Sequence, residues 1–379
     1  MNTPIAVLGT RGIPANYGGF ETCAEQLSQR WVAWGHDVRV YARRERYDKH
    51  PGLKNGVAVR YTSSLRRFGL GTPSAAALSV LDLIFRGRRF RWVHLYNTGN
   101  AFLLPLLRML GFRVLISVDG IEWRREKWGP VQKWAHRLGA HLAARFADRV
   151  VVDNDVVADF YARHLNCTTA TIAYGAQPIR RTEEAHEILS RFGLKVEGYC
   201  IFVGRIVPEK GVRELIDAFA RLKTELALVI VGDDAPTEYR NEMWARQSDK
   251  VRFVGYQYGH VCDQLLANAR MYVSASTLEG TSPALLSAMA AGVCCLVNGI
   301  PENRSTAGSS VAFYEQDNSE DLVRLWQTLL DDPQRLSSLA ASGQAHQRRF
   351  YDWDAIARRY LELFNEVERQ RSQTPEAAA

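Results

Sequence analysis

Short apolar runs alternate with longer stretches of helical periodicity along the first half of the chain. The predicted strands are residues 5–8, 37–41, 114–118 and 149–152, and the predicted helices are 20–34 and 134–146. Strands that alternate with helices in this way are typical of a parallel, doubly wound sheet. The pattern therefore predicts an α/β domain over residues 1–178.

The same alternation starts again after Pro178. The predicted strands are 199–203, 226–231, 251–254, 271–274 and 294–297, with a helix at 212–222. Residues 179–352 are thus a second Rossmann-like domain, and two such domains are expected to face a cleft that binds ligand. A last helix is predicted at 353–370 and packs back toward the first domain. The tail, 371–379, is small and polar and is predicted to be disordered.

Composition supports a two-domain globular protein. The length of 379 residues exceeds one ordinary domain. The six cysteines form no CxxC pair, so neither a zinc site nor a disulfide framework is predicted, and a reduced, cytoplasmic setting is expected. No apolar run approaches the roughly 20 residues that a spanning helix requires.

Charge is distributed unevenly between the halves. Residues 1–178 hold 25 Lys and Arg against 13 Asp and Glu, whereas the remainder holds 23 against 28. A basic half and a mildly acidic half indicate two units with different partners.

A glycine-rich segment joins the first strand to the first helix. It runs from Gly9 to Phe20 and contains Arg11 and the pair Gly18-Gly19. Glycines let backbone amides approach an anion, and a helix N-terminus adds partial positive charge. The segment predicts contact with a phosphate or a sugar, although a turn that needs only glycine is the plainer interpretation.

Two further loops follow strands of the second half. In the first, Gly204 ends a strand, and Arg205 and Lys210 then supply two cations suited to a departing diphosphate. In the second, Glu279 precedes a predicted helix start, with Ser282 as N-cap and Pro283 in the first turn. Backbone amides of Gly280, Thr281 and Ser282 are candidates for phosphate contact. Solvated cations and an incidental Glu are the structural alternatives.

Several strings in these loops resemble a known family. GGFE, VGRIVPEKG and EGTSPALL are similar to glycosyltransferase family four, whose members are retaining GT-B enzymes. The longer strings GTRGIPANYGGFET and DGIEWRREKWG, with PENR, resemble the bacterial subfamily that includes rhamnosyltransferases of capsule and cell-wall polysaccharide assembly. The resemblance covers the chain from Ile5 to about Phe364.

The resemblance implies a role for each matching residue. Gly18 and Gly19 match the glycine pair near the donor phosphates, and Arg205 and Lys210 match the diphosphate clamp. The remaining matches are Glu279 at the donor sugar, Tyr256 near the nucleobase, and Asp119 at the position of an active-site His. The resemblance also implies a nucleoside diphosphate sugar as donor, no metal cofactor, and retention at the anomeric carbon.

One position departs from the family pattern. The second Glu of the E-x7-E element, which commonly binds the ribose hydroxyls, is replaced by Ser287, and Ser305 stands where relatives often carry another Glu. A hydroxyl cannot hold two ribose hydroxyls as a carboxylate does. The departure predicts either a deoxyribose donor, such as dTDP-rhamnose, or a weakened donor site.

Two other sequence features bear on metal and membrane. Asp153-Asn-Asp155 reads as the DxD element of GT-A enzymes, but a GT-A fold does not explain the second α/β half, so no metal site is predicted. Basic and aromatic residues also cluster in the first half and predict an acceptor-binding or membrane-facing surface; a solvated cationic face is the alternative. These residues are Arg66, Arg67, Arg88, Arg89, Trp123, Arg124, Arg125 and Trp128.

These observations favour one function and leave two alternatives open. The favoured function is transfer of a sugar, with L-rhamnose as the candidate, to a lipid-linked glycan by an enzyme on the inner face of the plasma membrane. Other polysaccharide-assembly enzymes are candidate partners, and nucleic acid is not. The alternatives are a catalytically silent GT-B scaffold and a GT-B-fold sugar-nucleotide epimerase.

Overall fold

The computed structural model describes residues 4–15, 18–65, 71–86, 89–118, 120–124, 129–233 and 237–373. The chain divides into two compact units. Unit 1 comprises Met1–Tyr174 together with Trp353–Ala379, and unit 2 comprises Gly175–Asp352. Elements are numbered along the chain.

The described part of unit 1 is built on an eight-stranded sheet. Its strands are β1 (Ile5–Leu8), β2 (Val38–Arg43), β3 (Leu53–Lys54), β4 (Val57–Thr62), β5 (Trp92–Tyr96), β6 (Arg113–Val118), β7 (Arg149–Val152) and β8 (Ala170–Thr171). The strand order is β3-β4-β2-β1-β5-β6-β7-β8. Only the short edge strand β3 pairs antiparallel. The buried strands read as nearly continuous apolar runs, as expected for a parallel sheet covered on both faces.

Helices cover this sheet. They are α1 (Gly19–Ala33), α2 (Gly71–Arg86), α3 (Leu104–Met109), α4 (Pro130–Phe146), α5 (Asp155–Leu165) and the last helix, α14 (Trp353–Gln373). Although α14 follows unit 2 in sequence, it packs on α1. The indole Nε1 of Trp31 donates to the carbonyl of Ala357 at 3.0 Å. The helix extends through Gln373, beyond the predicted end at residue 370.

Unit 2 contains a six-stranded sheet that is parallel throughout. Its strands are β9 (Tyr199–Val203), β10 (Ala227–Val231), β11 (Val251–Phe253), β12 (Met271–Ser274), β13 (Cys294–Asn298) and β14 (Ala312–Tyr314), in the order β11-β10-β9-β12-β13-β14. Its helices are α6 (Ala185–Arg191), α7 (Val212–Phe219), α8 (Thr237–Trp244), α9 (Gly259–Ala267), α10 (Pro283–Ala290), α11 (Pro301–Ala307), α12 (Ser319–Asp331) and α13 (Pro333–Phe350). The predicted doubly wound α/β architecture is confirmed in both units.

The structure adds elements that the apolar pattern did not predict. Among them are α2 and the buried strand β5, which carries His94 in its centre. Within the described ranges, no helix is both long enough and apolar enough to cross a bilayer.

Candidate functional site

The order in which the chain adds strands to the unit 2 sheet reverses between β9 and β12, although all six strands are parallel. From β9 the chain moves outward through β10 and β11, then returns to place β12 on the other side of β9. In open parallel sheets, ligands bind at the carboxyl ends of the strands beside such a reversal. The two loops predicted to carry the chemistry leave this point: residues 204–211 follow β9, and 275–282 follow β12.

An ion pair joins the two loops. The ammonium of Lys210 lies 2.5 Å from Oε1 of Glu279, and the side chains are 14% and 9% exposed. Lys210 ends a 3-10 turn that begins at Pro208. The structure therefore brings together two residues 69 positions apart, both predicted from the sequence. The ammonium that was predicted to contact phosphate therefore forms an ion pair with the carboxylate that was predicted to contact the sugar.

Backbone contacts fix these loops around the ion pair. The amide of Thr277 donates to the carbonyl of Glu209 at 3.0 Å. Gly211 has φ +66°, and a Cβ there would lie 2.3 Å from the carbonyl oxygen of Ala275. Only glycine permits both this left-handed conformation and this approach. Gly211 thus allows the loop after β9 to lie directly against the loop after β12.

Helix α10 begins where the second loop ends. Ser282 is its N-cap and accepts from the amide of Leu285, and Pro283 occupies the first turn, as predicted. Gly280 and Thr281 are buried beside this cap. The α10 N-terminus therefore adds partial positive charge at the same sheet edge as Lys210.

The position that departs from the family pattern lies on α10. Ser287 is half-buried in the helix, about one and a half turns after the Ser282 cap. Ser305 is exposed on α11, which follows β13 rather than β9 or β12. Of the two substitutions, only Ser287 lies on the element that begins at the Glu279 loop.

The remaining loops at this edge stack on one another. Gly204, whose amide donates to the carbonyl of Val231, lies under the loop after β10. A Cβ on Gly232 would lie 1.7 Å from the carbonyl oxygen of Gly204, so glycine is required there. Gly232 in turn donates to the carbonyl of Gly255. The backbone ladder thus continues past the strand ends and supports the segment that carries Arg205, which is half-buried.

Tyr256 follows this ladder at the end of β11. Its ring stacks on Tyr258, with centroids 5.5 Å apart and planes inclined by 19°. Both rings are among the exposed large side chains of the described residues. The pair forms an aromatic surface two strands away from β9.

The glycine-rich segment of unit 1 occupies the equivalent place in its own sheet, since it follows β1 where the order reverses toward β5. Gly18 is the N-cap of α1, and Gly19 is its first residue. Oε1 of Glu21 accepts from the amide of Arg11, and Oε2 of Glu25 accepts from the amide of Ala15, both at 2.8 Å. Burial raises the pKa of Glu21, although the Arg11 amide opposes this.

Glu21 and Glu25 were missed by sequence reasoning. Their signal is a spacing of four residues at the start of a helix, which places both carboxylates on one face above the preceding loop. The two carboxylates therefore tie the Arg11 and Ala15 amides of the glycine-rich segment to α1.

The three described members of the predicted basic-aromatic surface lie at opposite ends of the strands of unit 1. Arg89 lies at the amino end of β5 and pairs with Asp37 at 3.0 Å. Trp123 and Arg124 instead follow the carboxyl end of β6, where Trp123 contacts Phe160. The two groups separate because the chain crosses the sheet between them. Arg66, Arg67, Arg88, Asp119, Arg125 and Trp128 lie outside the described residues.

The DxD string is part of a helix start. Asn154 caps α5 by accepting from the amide of Val157 at 3.0 Å, while Asp153 is buried and Asp155 begins the helix. Across the described ranges, no group of three His, Cys, Asp or Glu residues is arranged to hold a metal ion.

Comparison with solved structures shows the fold. Sucrose-phosphate synthase from Thermosynechococcus elongatus matches with a TM-score of 0.84 at 18% identity, over 97% of this chain and all of that one. HepE from Anabaena, in complex with UDP and glucose, matches with a TM-score of 0.78 at 17% identity, over 96% and 100%. These neighbours are GT-B glycosyltransferases, so the GT-B prediction is confirmed.

Two curated bacterial proteins are similar over parts of the chain. The O-antigen chain mannosyltransferase B of Escherichia coli is 27% identical over 46% of this chain. The N,N'-diacetylbacillosaminyl-diphospho-undecaprenol alpha-1,3-N-acetylgalactosaminyltransferase of Campylobacter jejuni is 26% identical over 60%. The chain spans 48% and 62% of the lengths of these two relatives.

Family comparison covers both units. The glycosyl transferase 4-like domain matches residues 18–174, and the glycosyl transferases group 1 domain matches residues 190–346. The second match contains both loops at the β9–β12 reversal. The two matches together cover most of the chain and identify it as a glycosyl transferase of the GT-B fold, with a 4-like domain in unit 1 and a group 1 domain in unit 2.

Proposed function

We propose that this protein transfers a sugar from a nucleoside diphosphate donor to a hydroxyl of a lipid-linked glycan, with retention at the anomeric carbon. The observation that carries the proposal is the meeting of Lys210 and Glu279, 2.5 Å apart, at the strand reversal of unit 2. The UDP complex of HepE, a fold neighbour, supports a nucleotide donor.

Charge at the β9–β12 edge suits the leaving group. Negative charge accumulates on the diphosphate as the bond to the sugar breaks, and fixed cations stabilise that charge. Lys210 and Arg205 provide positive charge, and the α10 amides at Gly280 to Ser282 add partial charge. Glu279 orients the Lys210 ammonium and accepts from a sugar hydroxyl. This arrangement neutralises the diphosphate without a metal ion.

The acceptor is assigned to unit 1, beside its glycine-rich segment. Gly18 and Gly19, at the start of α1, match the family's glycine pair near the donor phosphates, and Asp119 positions the acceptor hydroxyl. The leaving phosphate takes the acceptor proton, so no strong protein base is required. The Campylobacter relative is named for a diphospho-undecaprenol-linked sugar. That name supports an acceptor linked through a diphosphate to a lipid, which we place at the inner face of the plasma membrane.

Ser287 restricts which nucleotide the sugar donor is expected to carry. A serine replaces the second Glu of the E-x7-E element on α10, and it offers one hydroxyl where relatives offer a carboxylate. A deoxyribose lacks the 2′-hydroxyl and therefore needs fewer hydrogen bonds from the protein than a ribose does. We favour a dTDP-sugar, with L-rhamnose as the sugar and Tyr256 beside the nucleobase.

Removal of either cation tests the proposal. Arg205→Ala and Lys210→Ala should each slow sugar transfer, measured as formation of nucleoside diphosphate, by roughly 100-fold or more. Each substitution removes a positive charge that stabilises the transition state. Lys195→Ala, on the exposed surface of unit 2, is the matched control and should leave turnover unchanged. Near-normal turnover of both variants would contradict the assignment.

Nucleotide binding separates the enzyme from a silent scaffold. A ligand of the native state raises its stability, so thermal denaturation with dTDP, UDP, GDP and ADP reports binding directly. We expect dTDP to give the largest shift. If none of the four raises the midpoint, unit 2 holds no donor and the scaffold is the better description. Consumption of donor without acceptor, giving an epimerised sugar nucleotide, would indicate an epimerase.

A further inference from the structure

Three stripes of apolar side chains lie exposed on consecutive helical elements of unit 1. The stripes are Leu78, Leu81 and Phe85 on α2; Phe102, Leu106, Met109 and Leu110 on the 3-10 segment Thr98–Leu103, on α3 and at the C-cap of α3; and Val131, Trp134 and Leu138 on α4. We call these ten residues the apolar ridge. They are ten of the seventeen large hydrophobic residues that are exposed in the described part of the chain.

Each stripe follows the helical repeat. In α2 and in α4 the exposed residues are three and then four positions apart, which places them on one side of the helix. The opposite sides are buried: Val80, Leu107 and Ala140 belong to the same core cluster. The core of unit 1 is therefore formed by other apolar residues of these elements, and the residues of the apolar ridge are not part of it.

The three elements lie side by side in one layer. Helix α2 packs against the 3-10 segment Thr98–Leu103, and both that segment and α3 pack against α4. The stripes therefore form one outward surface rather than three isolated ones. A contiguous exposed apolar surface marks an interaction site more often than single exposed residues do.

Basic residues outnumber acidic ones on these elements. The segments LPLLRM of α3 and PVQKWAHRLGAHLAARF of α4 contain Arg and Lys but no acidic residue. On α2 the single acid, Asp82, is engaged by Arg60 at 3.1 Å and by Arg86 at 3.6 Å. The cations Arg108, Lys133 and Arg137 remain beside the ridge. Apolar side chains with Trp and surrounding cations match the boundary of an anionic bilayer.

We infer that the apolar ridge inserts into the headgroup layer of an anionic membrane, with the neighbouring cations on lipid phosphates. The ridge residues differ from the basic-aromatic residues predicted from the sequence, although the 3-10 turn Glu122–Arg124, which carries Trp123 and Arg124, packs against α4. The inference rests on the proposed transfer to a lipid-linked acceptor, because an acceptor in the bilayer requires the enzyme to dock there. Its test uses binding alone and does not depend on catalysis.

Vesicle co-sedimentation of the full chain is the experiment. The vesicles contain either phosphatidylcholine alone or phosphatidylcholine with phosphatidylglycerol. The variant Phe85→Ser/Met109→Ser/Trp134→Ser changes one residue per element, with exposures of 79%, 84% and 64%. The control Leu53→Ser/Phe350→Ser removes exposed apolar side chains elsewhere. The variant should bind anionic vesicles at least about 100-fold more weakly than the wild type, and the control should bind normally.

Three results would overturn the inference. The first is unchanged vesicle binding by the ridge variant. The second is equal binding of the wild type to both kinds of vesicle, which would remove the role of charge. The third is a wild-type dimer, detected by light scattering, that the ridge variant dissociates, since a second copy would then cover the ridge. Donor hydrolysis in solution should be normal in the variant, so failure of membrane binding and failure of the proposed transfer remain distinguishable.

Discussion

The ion pair between Lys210 and Glu279 is expected to hold the two loops of unit 2 together as well as to serve the donor. Replacing Lys210 by Met, or Glu279 by Gln, removes one charge and leaves the other among side chains that are only 14% and 9% exposed. The remaining charge is then poorly hydrated and lacks its partner. We expect each variant to loosen the contact between the loops after β9 and β12.

The degree of burial sets the magnitude. Breaking a fully buried pair costs about 3–5 kcal/mol, whereas an exposed pair contributes about 0–1 kcal/mol. The Lys210–Glu279 pair lies between these limits, so each single substitution should cost about 2 kcal/mol of local stability. The double variant leaves no unpaired charge and should also cost about 2 kcal/mol. The resulting coupling energy of about 2 kcal/mol is typical of residues in direct contact.

Native-state hydrogen exchange is the appropriate assay, because a chain of two compact units need not unfold in one transition. About 2 kcal/mol corresponds to roughly 30-fold faster exchange of amides in α7 and α10. Asp217→Asn is the matched control: it breaks the Asp217–Arg246 pair, which has the same 2.5 Å separation but is 61% and 32% exposed. Its effect should be below about fivefold. Additive effects of the two single variants would refute the coupling.

Three further predictions concern other parts of the chain. Gly211→Ala should destabilise unit 2 by at least about 2 kcal/mol, as measured by hydrogen exchange, because alanine is strained at φ +66° and its Cβ would lie 2.3 Å from the Ala275 carbonyl oxygen. The control is Gly259→Ala, where φ is also positive but nothing lies within 4 Å of the added Cβ. It should cost only about 1 kcal/mol. Burial lowers the pKa of His94 to about 3 from its ordinary value of 6.5, so the unfolded chain takes up a proton first as the pH falls. Stability is therefore fully present above about pH 6.5 and should fall by on the order of 4 kcal/mol toward pH 3; a thermal midpoint profile that is equally steep in His94→Gln would contradict this. Ser287→Glu should admit UDP-sugars without improving dTDP-sugars, and a donor panel that shows better dTDP use would exclude the deoxyribose explanation.

The alternation of apolar runs was enough to predict the fold class of both units. Strands such as β7 and β9 were predicted with the bounds that the structure gives. These strands are buried, and their β-branched and aromatic residues stand between clear helical patterns. Helix α2 escaped because its apolar residues occur on both sides: Val80 and Leu83 face the core, while Leu81 and Phe85 face outward. A helix of that kind lacks the single apolar stripe on which the prediction depends.

The loops of the candidate site were located from glycine and charge, but their geometry was not. Sequence spacing cannot show that Lys210 and Glu279 meet, because their contact depends on β9 and β12 being neighbours in the sheet. Glu21 was missed for a related reason. Its carboxylate accepts a hydrogen bond from the backbone amide of Arg11, and the side chain of Arg11 gives no indication of that bond in the sequence. Arg89 and Trp123 show a different limit: two basic runs were assigned to one surface by composition, whereas Arg89 lies at the amino end of β5 and Trp123 follows the carboxyl end of β6.

The return of α14 to unit 1 has a consequence for how the chain is assembled. Unit 2 is an insertion: all of Gly175–Asp352 is synthesised before Trp353 emerges. Unit 1 cannot bury Trp31 until Tyr360 and Phe364, whose rings pack against it, have left the ribosome. The second unit in sequence is therefore the first that can be completed, while the first unit waits with an apolar groove open along α1. A chain cut after Asp352 should keep unit 2 folded and leave unit 1 dependent on chaperones.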